Sequence, residues 1–167
     1  MDGSAWLAFV ALSLAAALPS CRSERPEARR PTKSVNTSRL NSLRFELVAP
    51  ADVRVGEPVP ITLRLTNGGE RPLELHLLGR TIAFDIVIAR IDGAVVWRRL
   101  AGAAVQGILQ IKRLAPGETL ELKDLWRQRD QAGSPVAPGS YTLQGVLPTD
   151  ERQPLSTPVA RLQIKSK

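Results

Sequence analysis

Val59-Pro60-Ile61-Thr62-Leu63-Arg64-Leu65-Thr66-Asn67-Gly68 is the stretch on which the fold turns. Apolar residues at every second position, with polar or proline positions between them, are the mark of a half-buried strand. Asn67-Gly68 then reads as a turn dipeptide. Working toward the N-terminus, Phe45 and Leu47 alternate with Arg44 and Glu46. Toward the C-terminus, Leu73, Leu75 and Leu77 alternate with Glu74 and His76. Residues 83–91, AFDIVIARI, are nearly all apolar and predict a central strand, which Asp92-Gly93 folds back into Ala94-Val95-Val96-Trp97 as a tight hairpin. Residues 108–114 predict a short strand stopped by Pro116-Gly117. Leu120, Leu122 and Trp126 share one face of the next, and Pro138-Gly139 turns the chain into Tyr141-Thr142-Leu143-Gln144-Gly145. Ala160, Leu162 and Ile164 define a last strand. Each of these strands has one apolar face that a second sheet must cover. The expectation is an all-β, Ig-like antiparallel β-sandwich of about eight strands, a single domain over residues 43–167.

The predicted core is Phe45, Ile61, Leu63, Leu65, Phe84, Ile86, Leu122, Trp126, Tyr141 and Leu143. Trp97 and Trp126 are expected between the sheets, with the Tyr141 hydroxyl tied to a loop backbone as in a tyrosine corner. Composition agrees. Aromatics are only 4% of the 167 residues, so aliphatic side chains must fill the core, and 13 prolines with 12 glycines imply many turns. One cysteine, Cys21, and one histidine, His76, exclude an internal disulfide and any multi-Cys or multi-His metal site. No cofactor motif stands out.

The net charge of +7 is unevenly placed. Residues 22–44 hold seven Arg/Lys against two Glu, whereas 45–167 hold sixteen against thirteen Asp/Glu. A basic leader suits anionic lipid headgroups, at about 1 kcal/mol per charge near the surface. It does not suit a nucleic-acid domain, which carries its basic residues on the folded surface among stacking aromatics. Residues 4–20, SAWLAFVALSLAAALPS, are uncharged and apolar, short for a membrane span and right for a signal-peptide core. The run ends in Leu18-Pro19-Ser20-Cys21, which resembles a bacterial lipobox. Residues 1–21 are therefore expected to be a signal peptide with lipidation, palmitate included, at Cys21. A simple cleaved signal or an uncleaved anchor are the alternatives, since Pro19 and an n-region without Lys or Arg depart from the pattern. Residues 22–42 are too polar to fold and read as a basic tether. The expected location is the bacterial cell envelope, lipid-anchored and facing the periplasm or exterior, or else secreted.

Several further pieces, in order along the chain, resemble the intracellular proteinase inhibitor (BsuPI-type) domain. They are Phe84-Asp85-Ile86-Val87-Ile88, Asp92-Gly93, Val96-Trp97-Arg98, Leu114-Ala115-Pro116-Gly117-Glu118, Trp126 and Pro138-Gly139-Ser140-Tyr141-Thr142-Leu143. The resemblance spans roughly residues 45–147. It implies an Ig-like sandwich and non-covalent inhibition of a serine protease. The inhibitor that names that family is cytoplasmic, while this chain reads as exported, so the protease partner would be a different one.

Two functional readings follow: a non-catalytic cell-envelope module that docks another envelope protein, or an inhibitor of an extracytoplasmic serine protease. Enzyme activity is not expected. His76 with Glu74 lacks any Gly-x-Ser-x-Gly elbow to work on, and no paired carboxylates or phosphate loop are present. A sandwich recognises partners through loops at its ends. The candidate loops are 79–82, 100–106, 127–137 and 148–158, the last two being the longest. The candidate contact residues are Arg80, Arg98, Arg99, Arg129 and Arg152. Of these, Arg80, Arg98, Arg99 and Arg152 read as arginines that can enter a trypsin-like pocket. Arg98 and Arg99, adjacent in a strand, should point to opposite faces.

Overall fold

The computed structural model describes residues 42–150 and 153–166, and among these it has eleven strands and no helix. In chain order the strands are β1 (Leu43–Val48), β2 (Asp52–Arg54), β3 (Val59–Asn67), β4 (Leu73–Leu78), β5 (Asp85–Arg90) and β6 (Val95–Arg98). They continue with β7 (Leu109–Leu114), β8 (Thr119–Trp126), β9 (Gly139–Leu147), β10 (Leu155–Ser156) and β11 (Ala160–Lys165).

β3 behaves as its alternation predicts: Val59, Ile61, Leu63 and Leu65 are buried, and Pro60 and Arg64 face out. It is the middle of an antiparallel sheet, β1-β3-β8. The second sheet runs β2-β11-β9-β5-β6, with β10 also on β9. β4 and β7 form a ribbon in which Leu77 of β4 bridges Thr149, just past the end of β9, so the ribbon continues the second sheet beyond the start of β5. The two sheets meet tightly at Gly145 of β9. A Cβ there would overlap Leu63 Cδ2 of β3. All ten predicted core residues are buried or, for Phe45, packed half-buried against the core.

The structure corrects the sequence reading in five places. The pairing is not wholly antiparallel, because β2 runs parallel to β11. β2 and β10 are too short to show a period and raise the strand count. Asn67-Gly68 does not close a hairpin. Asn67 is fully buried, its Nδ2 donating to Arg71 O and Leu114 O at 2.8 and 3.0 Å and its Oδ1 accepting from Gly69 N. The amide thus satisfies backbone groups where the chain leaves β3 to begin β4, which pairs with β7 instead. The apolar run 83–91 is strand only from Asp85 to Arg90, since Phe84 turns its ring into the core from the connection and Ile91 opens the Asp92-Gly93 turn. Trp97 packs half-buried at the margin, whereas Trp126 is enclosed.

Tyr141 forms the expected corner. Its hydroxyl donates to Ala137 O at 2.7 Å, its ring meets Trp126 edge-on with centroids 6.0 Å apart, and burial pushes its phenol above the usual value. Residues 1–41, which include Cys21 and nearly all of the tether, lie outside the described residues, as does Arg152.

Candidate partner-binding surface

The four candidate arginines among the described residues separate by what their side chains touch. Arg98 closes the end of β6 onto β5: its Nε donates to Asp85 Oδ2 at 2.9 Å, and Asp85, only 2% exposed, also accepts from Leu100 N at 3.0 Å. A buried carboxylate requires such partners, so Arg98 is committed to the fold. Arg99 lies just past the end of β6, in the turn rather than in the strand, and its side chain goes to different partners. Its Nε donates to Asp124 Oδ2 at 2.6 Å and its Nη1 to Phe84 O at 2.8 Å, with the guanidinium 3.8 Å above the Phe84 ring. It clamps the two sheets at the β8 edge. Arg129 is exposed but donates to Gly133 O inside its own loop. Arg80 is exposed, and among the described residues its side chain has no partner; only its carbonyl is used, by Gln110 Nε2.

The four candidate loops do not form one surface. The start of 79–82, the start of 148–158 and Ile108, just past 100–106, come together where β4 gives way to β5 and β6 to β7. Gly79 N donates to Ile108 O, Gln110 Nε2 donates to both Gly79 O and Arg80 O, and Thr149 bridges Leu77. Gly79 has φ 99° and a Cβ there would strike Thr81 O, so this junction requires glycine. The loop 127–137 sits among the turns at the other ends of the strands. Gln128, buried, donates to Arg54 O and Glu57 O; Gln131 N donates to Val96 O; Asp130 Oδ1 accepts from Ala132 N and Ser134 N. That loop is internally braced, and Gln128 holds a positive φ of 54° to make the brace.

The sequence reading missed the apolar character of the junction. Residues 101–109, AGAAVQGIL, are all exposed, with Val105 at 37% and Ile108 at 44%, and Ile111 follows at 62%. Periodicity could not reveal this, because Leu109 and Ile111 look like the inner face of a strand.

His76 lies beside this surface on β4. Its Nδ1 is 2.8 Å from Asp150 Oδ2 and its Nε2 is 3.1 Å from Glu74 Oε1. Two carboxylates can both accept only from an imidazolium, and the Asp150 hydrogen bond, then that of Glu74, raises the His76 pKa above 6.5. The ion pair ties residue 150 to β4. A group whose folded pKa is raised contributes its stability fully below the unfolded value and loses it as pH rises through the folded value. Stability to urea should therefore fall between about pH 6.5 and the higher folded value. His76→Gln should lack that component, and identical pH profiles for the two proteins would contradict the ion pair. Among the described residues no group of His, Cys, Asp and Glu is placed to hold a metal ion.

What these observations define is a β-sandwich domain with two arginines fastened to carboxylates of its frame and an apolar loop surface at one end. The chain belongs to the intracellular proteinase inhibitor (BsuPI) family, whose profile matches residues 47–152. No curated protein sequence matches it. Among solved structures it is similar to the sporulation control protein Spo0M of Bacillus subtilis, at 11% identity over 75% of this chain and 50% of that one, TM-score 0.47. It is also similar to the alkylpurine DNA glycosylase AlkC of Pseudomonas fluorescens bound to DNA with an abasic site analog, at 14% identity and TM-score 0.41, covering 74% of this chain and 30% of that one. A third is a CARDB domain from Pyrococcus furiosus in complex with di-metal ions, at 13% identity and TM-score 0.39, covering 75% of this chain and 94% of that one. The chain thus spans less than a third of the glycosylase.

Proposed function

We propose that this chain is a non-catalytic protein-binding module of the BsuPI family, held at the bacterial cell envelope by a lipid on Cys21 and the basic tether. It docks another envelope protein through the junction of 79–82, 100–108 and 148–150. The observation that carries this reading is the exposed apolar run 101–109 on a braced β frame. Contiguous apolar surface on a soluble domain marks an interaction site. Docking suits the surface better than catalysis does, since both ring nitrogens of His76 are engaged by carboxylates and no lone pair is left for a general base.

Family membership favours a second reading, inhibition of an extracytoplasmic serine protease. Of the candidates among the described residues, Arg80 is then the arginine free to enter a trypsin-like pocket. One experiment separates the two. The tagged full chain is used to capture partners from an envelope extract, with and without prior covalent blocking of serine-protease active sites. A docking module captures its partner equally from both extracts and loses at least about tenfold in capture on Val105→Asp, the range of a burial defect of about 1.4 kcal/mol. An inhibitor loses capture on blocking and on Arg80→Ala. Fatty-acid labelling should mark the wild type and spare Cys21→Ser. An unlabelled, cytoplasmic wild type would remove the envelope from the proposal.

A further inference from the structure

The β4–β7 ribbon ends in an open edge. Gly79 N donates to Ile108 O, so Gly79 and Ile108 are a hydrogen-bonded pair in the antiparallel register of β4 and β7. Alternation along the ladder then makes Leu77–Gln110, Leu75–Lys112 and Leu73–Leu114 the other hydrogen-bonded pairs. The N–H and C=O groups of Leu109, Ile111 and Arg113 therefore point away from β4. β7 has no other strand partner, and no hydrogen bond among the described residues uses those groups.

An unpaired edge is a template for an added strand, and proteins ordinarily blunt such edges. Here the edge is dressed selectively. Leu109 and Ile111 present exposed apolar side chains on the face shared with His76. Lys112 and Arg113 follow them, exposed, and neither has an ion pair among the described residues. Glu74, directly across from Arg113, is taken by His76. Lys112 projects on the inner face, across from the buried Leu75, where a purely apolar strand would trap its charge.

We propose that β7 is a docking strand whose open edge takes an extended, acidic segment of a protein partner as an added strand. Apolar residues of that segment lie against Leu109 and Ile111, and carboxylates lie against Lys112 and Arg113. This rests on the reading of the chain as a protein-binding module and adds where and what it binds. Charge selects the occupant. Pairing β7 with the β7 of a second copy would bring two Lys112 and two Arg113 into one two-stranded ladder, where like charges destabilise. The chain's own segment 22–44, with its excess of five positive charges, has the wrong sign as well.

The test uses the full chain and two capped hexapeptides, Val-Glu-Glu-Val-Thr-Val and its lysine counterpart Val-Lys-Lys-Val-Thr-Val. In antiparallel register the two acids face Arg113 and Lys112. Amide hydrogen exchange reports which N–H groups become bonded. The acidic peptide should slow exchange at Leu109, Ile111 and Arg113 and bind at least about tenfold more tightly than the lysine peptide. Lys112→Glu should reverse the preference. Ile111→Pro should fold, since the N–H it removes lies outside the β4 ladder and edge strands tolerate proline, and it should abolish the protection. Equal binding of the two peptides overturns the proposal, as does unchanged exchange at millimolar acidic peptide. Protection that grows with protein concentration in the absence of peptide overturns it in favour of self-pairing. Val105→Asp, which disables the loop junction, should leave the peptide effect intact, so loss of partner capture and loss of edge pairing are separately visible.

Discussion

Trp126→Ala is expected to lower stability by about 3–5 kcal/mol, the range for removing a fully buried large aromatic. The ring is the largest side chain of the core and is 1% exposed. Three things go with it. A cavity opens at the end of β8. The edge-on contact with Tyr141 is lost. Arg129 O loses the hydrogen bond it accepts from Trp126 Nε1 at 2.8 Å, which frees the start of the 127–137 loop. Trp126→Phe keeps an aromatic ring in the core but gives up the second ring of the indole and the hydrogen bond, so about 1–3 kcal/mol is expected. Urea unfolding at constant m-value reads both. A Trp126→Ala loss below about 1 kcal/mol would show that the ring is not the wedge at this end of the core.

Leu63 and Gly145 should behave as a coupled pair across the two sheets. Leu63→Ala removes a fully buried side chain and is expected to cost about 2–5 kcal/mol. Gly145→Ala places a methyl where Leu63 Cδ2 already sits, with Leu63 Cδ1 at 3.0 Å and Thr157 Cγ2 at 3.1 Å, an overpacking defect of about 1–3 kcal/mol. In the double variant the new methyl enters the cavity that Leu63→Ala leaves. The combined loss should fall short of the sum by about 1 kcal/mol or more. Strict additivity would mean the sheets do not meet at this point. Arg64→Ala, one residue along β3 and paired at the surface with Glu121, should change stability by less than about 0.5 kcal/mol.

The arginines bear on how the surface is read. Arg98 and Arg99 read from the sequence as neighbours facing opposite ways, and each is engaged by a carboxylate, Arg98 by the buried Asp85 and Arg99 by Asp124 of β8. Among the described candidates this leaves Arg80 and Arg129 with no carboxylate partner, and Arg129 sits on the braced loop away from the apolar junction, while Arg152 lies outside the described residues.

Alternation by itself determined that this chain is a run of strands and which residues of β1, β3, β4, β8, β9 and β11 face inward, because side chains on a pleated strand change face at every residue. The tyrosine corner was legible for a similar reason: Pro138-Gly139 places Tyr141 close in sequence to the loop backbone that its hydroxyl must find. A period of two says nothing about which strand lies next to which, since pairing joins residues far apart in the chain. Only the tertiary structure could put β4 beside β7, run β2 parallel to β11, and bury Asn67 as a link between elements. It also decided which side of β7 is the inside. The pattern Leu109-Gln110-Ile111-Lys112-Arg113-Leu114 satisfies alternation with either face inward, and pairing Leu73 with Leu114 and Leu75 with Lys112 turns Leu109 and Ile111 out to solvent. The open, cationic edge follows from that register, which no local property of the six residues of β7 contains.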